Sequence, residues 1–185
     1  VVQRREIRLV LNERHSDQLF ALLRQGGAGF RRKLIVLLTA AAVSRLSQQS
    51  TRGWTYLNIG HTGLDAAGLP GWLARQQWKP VYLVHDLIPI SHPEFCRPGE
   101  SQRHARRIRT VLESAAGVIA NSAATRDALN EFAAREGRVP PPCEVAWLAA
   151  PEMVAAARLP TPNRPTFVMI GTIEGRKNHL LLLHL

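Results

Sequence analysis

The run VYLV (Val81–Val84) narrows the fold more than any other feature of the chain. It sits between Pro80 and the polar pair His85-Asp86, with no polar residue inside it. A strand with one wet face alternates apolar and polar side chains, so an uninterrupted run reads as a strand covered on both faces. Similar short runs recur at EIRLVL (6–11), TYLNIG (55–60), GVIANS (117–122), CEVAWL (143–148) and TFVMIG (166–171). Between several of them lie helical patterns: DQLFALLRQ (17–25), KLIVLLTAAAVSRLSQ (33–48), ESQRHARRIRTVLESA (100–115) and SAATRDALNEFAAR (122–135). Strands alternating with helices predict a parallel sheet packed by helices, a doubly wound α/β fold.

Punctuation divides the chain. Ser122 stands where its hydroxyl can cap a helix starting at Ala123. Pro98-Gly99 breaks the chain before the basic helix. The stretch 149–165 holds Pro151, Pro160, Pro162 and Pro165 and has no helical or strand period. It reads as a linker between a first domain (1–148) and the first strand of a second (166–185). The opening VVQRREIRLV reads as a strand already under way, so the chain is expected to be an internal piece of a larger protein.

With 45% apolar residues the chain can bury a core. Its formal charge of +10 rests on arginine, since the lysines are only Lys33, Lys79 and Lys177. That excess suits phosphate-bearing partners or an anionic membrane surface, with a merely solvated surface as the plain alternative. No segment has the signature of a nucleic-acid-binding module. Cys96 and Cys143 lack the spacing of a zinc site or disulfide framework, which points to a reducing, cytoplasmic compartment. The longest apolar stretch, Leu34–Val43, is about half of what a bilayer-spanning helix needs, so it reads as an amphipathic or buried helix.

Three short motifs carry chemistry. His85-Asp86 follows a strand, where open α/β sheets bind ligands; an imidazole there could orient a hydroxyl or take its proton. In NIGHTGLD, glycines flank His61 and Thr62, which makes either a ligand-facing loop or a plain turn. In GTIEGRKNH, Gly171 permits close backbone approach, and Arg176-Lys177 bring two cations to a helix start. Cations, backbone N–H groups and the helix dipole together favour a phosphate or diphosphate, against an exposed turn as the alternative. The arginines of the basic helix (103, 106, 107 and 109) do not share a face and read as a solvated surface.

The segments HDLIPISHPEFCRPGE, GVIANSAATRDAL and FVMIGTIEGRKNHLLLL, in that order, resemble the GT-B glycosyltransferases of family 4. The resemblance runs from about Thr55 to the end and is nearest to mannosyltransferase-like bacterial members of surface polysaccharide assembly. It implies two Rossmann-like domains, of which this chain would hold the acceptor-binding one and the first strand-loop-helix of the nucleotide-sugar domain. It implies a retaining transfer of a hexosyl unit, mannosyl favoured, from a nucleoside-diphosphate sugar such as GDP-mannose. The acceptor is a hydroxyl on a saccharide or lipid-linked molecule, with peripheral association at the inner membrane face. His85 and Asp86 would serve catalysis. Gly171, Thr172, Arg176 and Lys177 would hold the donor diphosphate, with Thr172 standing where many relatives carry arginine. His61, Thr62 and Ser122 would face the acceptor. No metal is implied, and the aspartates Asp17, Asp65, Asp86 and Asp127 form no DxD pair. The family's Glu-x7-Glu segment and its first glycine-rich loop are missing, so the chain by itself is expected to be silent. A sugar-nucleotide epimerase of the same fold and a basic nucleic-acid-binding module remain the alternatives.

Overall fold

The computed structural model describes residues 1–4, 7–44, 51–149, 164–166, 168–173 and 177–184, with Arg4 described only in its backbone. Strands β1 (Val2–Arg4) and β2 (Ile7–Leu9) pair antiparallel, Val2 opposite Leu9 and Arg4 opposite Ile7. The opening is therefore a two-stranded ribbon and not one continuing strand. No glycine or proline marks a turn within QRREI, which is why the sequence concealed it. Helices α1 (Glu13–Gln25) and α2 (Phe30–Ser44) follow and pack on each other. The side chain of Asn12 caps α1 by accepting from the His15 N–H, and Gly26 and Gly29 supply the left-handed backbone of the link.

Next come β3 (Thr55–Asn58), α3 (Leu69–Gln76), β4 (Lys79–Val84), the short α4 (Ile88–Ser91), a 3₁₀ turn (Pro93–Phe95), α5 (Glu100–Ser114), β5 (Gly117–Ala120), α6 (Ala123–Arg135) and β6 (Cys143–Val145). The strands form one parallel sheet in the order β3-β4-β5-β6. This is a Rossmann-like α/β arrangement. Strand order advances without reversing, so right-handed crossovers set the connecting helices on one face. The reversal that makes such a sheet doubly wound is not found among the described strands.

Burial agrees with that winding. Tyr82, Val84, Val118 and Ala120 point to one face and are almost wholly buried. They share a core with Leu69, Trp72 and Leu73 of α3, Ile108 and Val111 of α5, and Leu129 and Phe132 of α6. Burying each such aliphatic chain is worth about 1.5–3 kcal/mol. The opposite face is thinner: Val81, Leu83 and Ile119 are half-buried, and Leu57 is 57% exposed. VYLV is thus sealed on one side and only partly covered on the other, a departure from the two-sided burial its sequence suggests.

Polar groups in this core are paired. The Tyr82 hydroxyl lies 2.7 Å from Ser114 Oγ, which in turn donates to the Thr110 carbonyl at 2.7 Å. Burial raises the Tyr82 phenol to about 12. At the amino end of the sheet, Trp78 stacks on Trp54 and Tyr56, meets Trp72 edge-on, and donates its Nε1–H to Thr51 Oγ1 at 3.1 Å.

The expected linker falls largely outside the described residues, which include only Ala149, Arg164 and Pro165 of it. The segment TFVMIG forms no strand at its described positions and has no ladder partner among the described strands. Val168 and Ile170 are 79% and 92% exposed there. The final α7 (His179–Leu183) is one short turn with exposed leucines and not a buried core helix. Apolarity alone does not make a strand or a core helix when nothing packs against it.

The one-sided core predicts an asymmetry across the sheet. Ile108→Ala should destabilise the protein by about 3 kcal/mol in urea unfolding. Leu57→Ala, on the thin face, should change it by less than about 1 kcal/mol in the same measurement.

Candidate functional site

The carboxyl ends of β3, β4 and β5 carry the polar groups, as in other open α/β sheets. After Asn58 the chain turns through Ile59-Gly60-His61-Thr62-Gly63. The Asn58 amide shapes this turn: its Nδ2 donates to the Thr62 carbonyl at 3.3 Å, and its Oδ1 accepts from the Gly60 N–H at 3.3 Å. His61 lies in the left-handed region with φ 53°, a conformation that is uncommon for residues with a Cβ. The turn sends neighbouring side chains apart. Thr62, its hydroxyl donating to the Gly60 carbonyl, lines a groove of about 440 Å³ along β3, together with Gln3 and Trp54. His61 packs inward.

Three imidazoles meet there. The His61 ring stands 5.3 Å from His85 and 5.4 Å from His104, both edge-on. Each neighbour is fixed by a backbone carbonyl. His85 donates Nε2–H to Ile59 at 2.8 Å, and His104 donates Nε2–H to Asp86 at 3.0 Å. In its neutral form His85 then keeps the Nδ1 lone pair for another partner. His61 Nε2 is buried and meets no hydrogen-bond partner. Burial, then the charges of His104, His85 and Arg107, push His61 down to about 4, against the opposing hydrogen bond to the Leu83 backbone. It is a neutral base in a dry place.

The site residues expected from the sequence therefore divide. His61 and His85 come together. Asp86 is beside them, but its Oδ1 accepts the Ile88 N–H at 3.1 Å, so its carboxylate is engaged in the tight turn that leads into α4. Ser122 caps α6 as expected, accepting from the Thr125 N–H at 3.1 Å. Thr125 Oγ1 lies 3.1 Å from the His85 carbonyl and 2.9 Å from Asn121 Oδ1, which ties the start of α6 to the end of β4. Of the GTIEGRKNH motif, Gly171 and Thr172 are exposed and Lys177 is half-buried, while Arg176 falls outside the described residues. The Lys177 ammonium stands 3.6 Å from where a Cβ on Gly171 would be, an ordinary van der Waals contact, so the cation lies beside this backbone without requiring glycine there.

The sequence reading missed three participants. His104 is only 4% exposed, and the Arg107 side chain only 14%. Arg107 donates to Glu100 at 3.1 Å, while its Nε is buried with no partner. Asp65 accepts from Arg103 at 2.9 Å. Burial would raise the Asp65 carboxyl, but the bond to Arg103 and the charges of Arg103 and Arg107 hold it below its usual value. The available signal was position: His104, Ile108 and Val111 lie four and three residues apart, on the buried stripe of α5. The solvated reading holds for Arg103, Arg106 and Arg109, which are exposed, and fails for Arg107.

Among the described residues, no group of three or more His, Cys, Asp or Glu is arranged to hold a metal ion. Among the same residues, no helix is long and apolar enough to cross a membrane. No protein-family model, curated protein or solved structure matches the chain.

Because folding holds His61 neutral, the unfolded chain binds more protons between about pH 4 and 6.5. That stabilisation is complete above pH 6.5 and is lost as the pH falls towards 4. His61→Asn, which tolerates the left-handed backbone, should flatten the dependence of urea midpoint on pH across that window.

Proposed function

We propose that this chain is the acceptor-side part of a retaining glycosyltransferase that moves a hexosyl unit from a nucleoside-diphosphate sugar to a hydroxyl group. One observation supports this best. In a Rossmann-like sheet, two imidazoles, one of them neutral, stand 5.3 Å apart at the carboxyl ends of adjacent parallel strands. A polar, partly dry pair in that place suits the orientation of sugar hydroxyls. The resemblance of HDLIPISHPEF, GVIANS and GTIEGRKNH to family 4 supports the same reading, including its mannosyl donor and a doubly wound first domain.

In this reading the bond between the anomeric carbon and the diphosphate breaks, and the diphosphate departs with the electron pair. The acceptor oxygen forms its bond on the same face, and its proton passes to a departing phosphate oxygen. His85, fixed through Nε2, presents Nδ1 to a sugar hydroxyl. His61, packed inward, backs the His85 ring on the acceptor side, Thr62 faces the separate groove along β3, and Ser122 holds the start of α6 in place. Asp86 acts by positioning, because its carboxylate is engaged with the backbone of α4. Lys177 and Arg176 offset the charge gathering on the diphosphate, with Gly171 and Thr172 giving access to it. The acceptor is a saccharide or lipid-linked hydroxyl, and the setting is cytoplasmic.

The test is release of nucleoside diphosphate by the full-length protein over a panel of nucleotide sugars, with and without a hydroxyl acceptor. Release should require acceptor, and His85→Ala should lower turnover by about 100-fold. Lys177→Gln should weaken nucleotide-sugar binding by about tenfold. Acceptor-independent formation of free sugar would give the site to an epimerase, and affinity for DNA with a steep salt dependence would make the chain a nucleic-acid module.

A further inference from the structure

The core leaves one face of α2 unused. Ala41 is the only buried residue described on that helix, whereas Ile35, Val36 and Val43 are 64%, 63% and 66% exposed. At about 100° per residue these three project from one side of the helix. Two shallow apolar hollows of about 580 Å³ each run along it. Arg32 lies in line with this side one turn earlier, and Arg31 and Lys33 flank it about 100° to either hand. All three cations are exposed, and Phe30–Ser44 contains no aspartate or glutamate.

We propose that α2 lies flat on an anionic phospholipid surface, with Ile35, Val36 and Val43 among the acyl chains and Arg31, Arg32 and Lys33 on the lipid phosphates. The dimensions fit this placement. Fifteen residues make a helix about 22 Å long, too short to span a hydrocarbon layer about 30 Å thick but long enough to lie in its boundary. Charge selects the occupant. Flanking cations at the waterline meet headgroup phosphates, and Arg32 reaches the same level by extending its side chain. A second copy of α2 would offer these cations no acidic counterpart. The exposed side is also aliphatic, without the aromatic anchors that dominate protein–protein contacts. The net charge of +10 draws the molecule to such a surface from a distance. This inference does not depend on the transferase reading.

Co-sedimentation of the full chain with phosphatidylcholine vesicles, with and without phosphatidylglycerol, tests it. Binding should require phosphatidylglycerol. Replacing Arg31, Arg32 and Lys33 together by glutamine should weaken it by about 100-fold. Val36→Asn with Val43→Asn should weaken it by about tenfold while the far-UV circular dichroism stays the same, since both side chains are exposed. Arg106→Gln, on the exposed side of α5, should leave binding unchanged. Any of four results would overturn the proposal: equal binding to neutral vesicles, indifference to the α2 variants, an equal loss from Arg106→Gln, or a solution dimer that Val36→Asn dissociates.

Discussion

Two peptide carbonyls just beyond the end of β4, those of His85 and Asp86, hold the architecture of the site together. A strand's ladder ends there, yet buried carbonyls still need donors. Thr125 of α6 supplies one and His104 of α5 the other. Both helices are thereby fastened to the same two consecutive residues. The Ile59 carbonyl does the same for β3 through His85. Sheet, helices and loops thus meet at one junction, and His85 and His104 are oriented because the backbone needed donors.

That junction sits on a core built from one side. Tyr82 is its middle, with apolar ring against α5 and hydroxyl passed through Ser114 to the Thr110 carbonyl. The chain of hydrogen bonds lets a polar atom stay inside without cost to the packing around it. Surface ion pairs such as Arg109 with Glu136 surround this core at 2.8 and 3.0 Å. Being exposed to solvent, they set geometry more than stability.

Much of this was legible in the sequence, and the failures have physical causes. β4, β5 and β6 follow their apolar runs, and α5 and α6 follow period and cap, because those segments agree locally and globally. VYLV misled about its second face, since an apolar run records what a strand tolerates and not what packs on it. TFVMIG misled for the same reason, having strand propensity without a neighbour. In the site, His61 and His85 were visible from their places after strands. Asp86 looked chemical but is engaged in a turn, which depends on where the Ile88 N–H points. His104 and Arg107 were hidden by the abundance of arginine around them, although their spacing placed them on the inner stripe.

The left-handed backbone of His61 has one more implication, for what this position can become. It needs a residue that accepts φ near 53°, fills the space between two imidazole edges and offers a lone pair rather than a charge. Glycine meets the first demand alone. Asparagine relaxes comfortably but is too short to fill the gap between those rings. Phenylalanine fills the space, yet it strains the chain and brings no nitrogen. Of these residues histidine alone combines all three, so a change here trades ring packing against backbone ease.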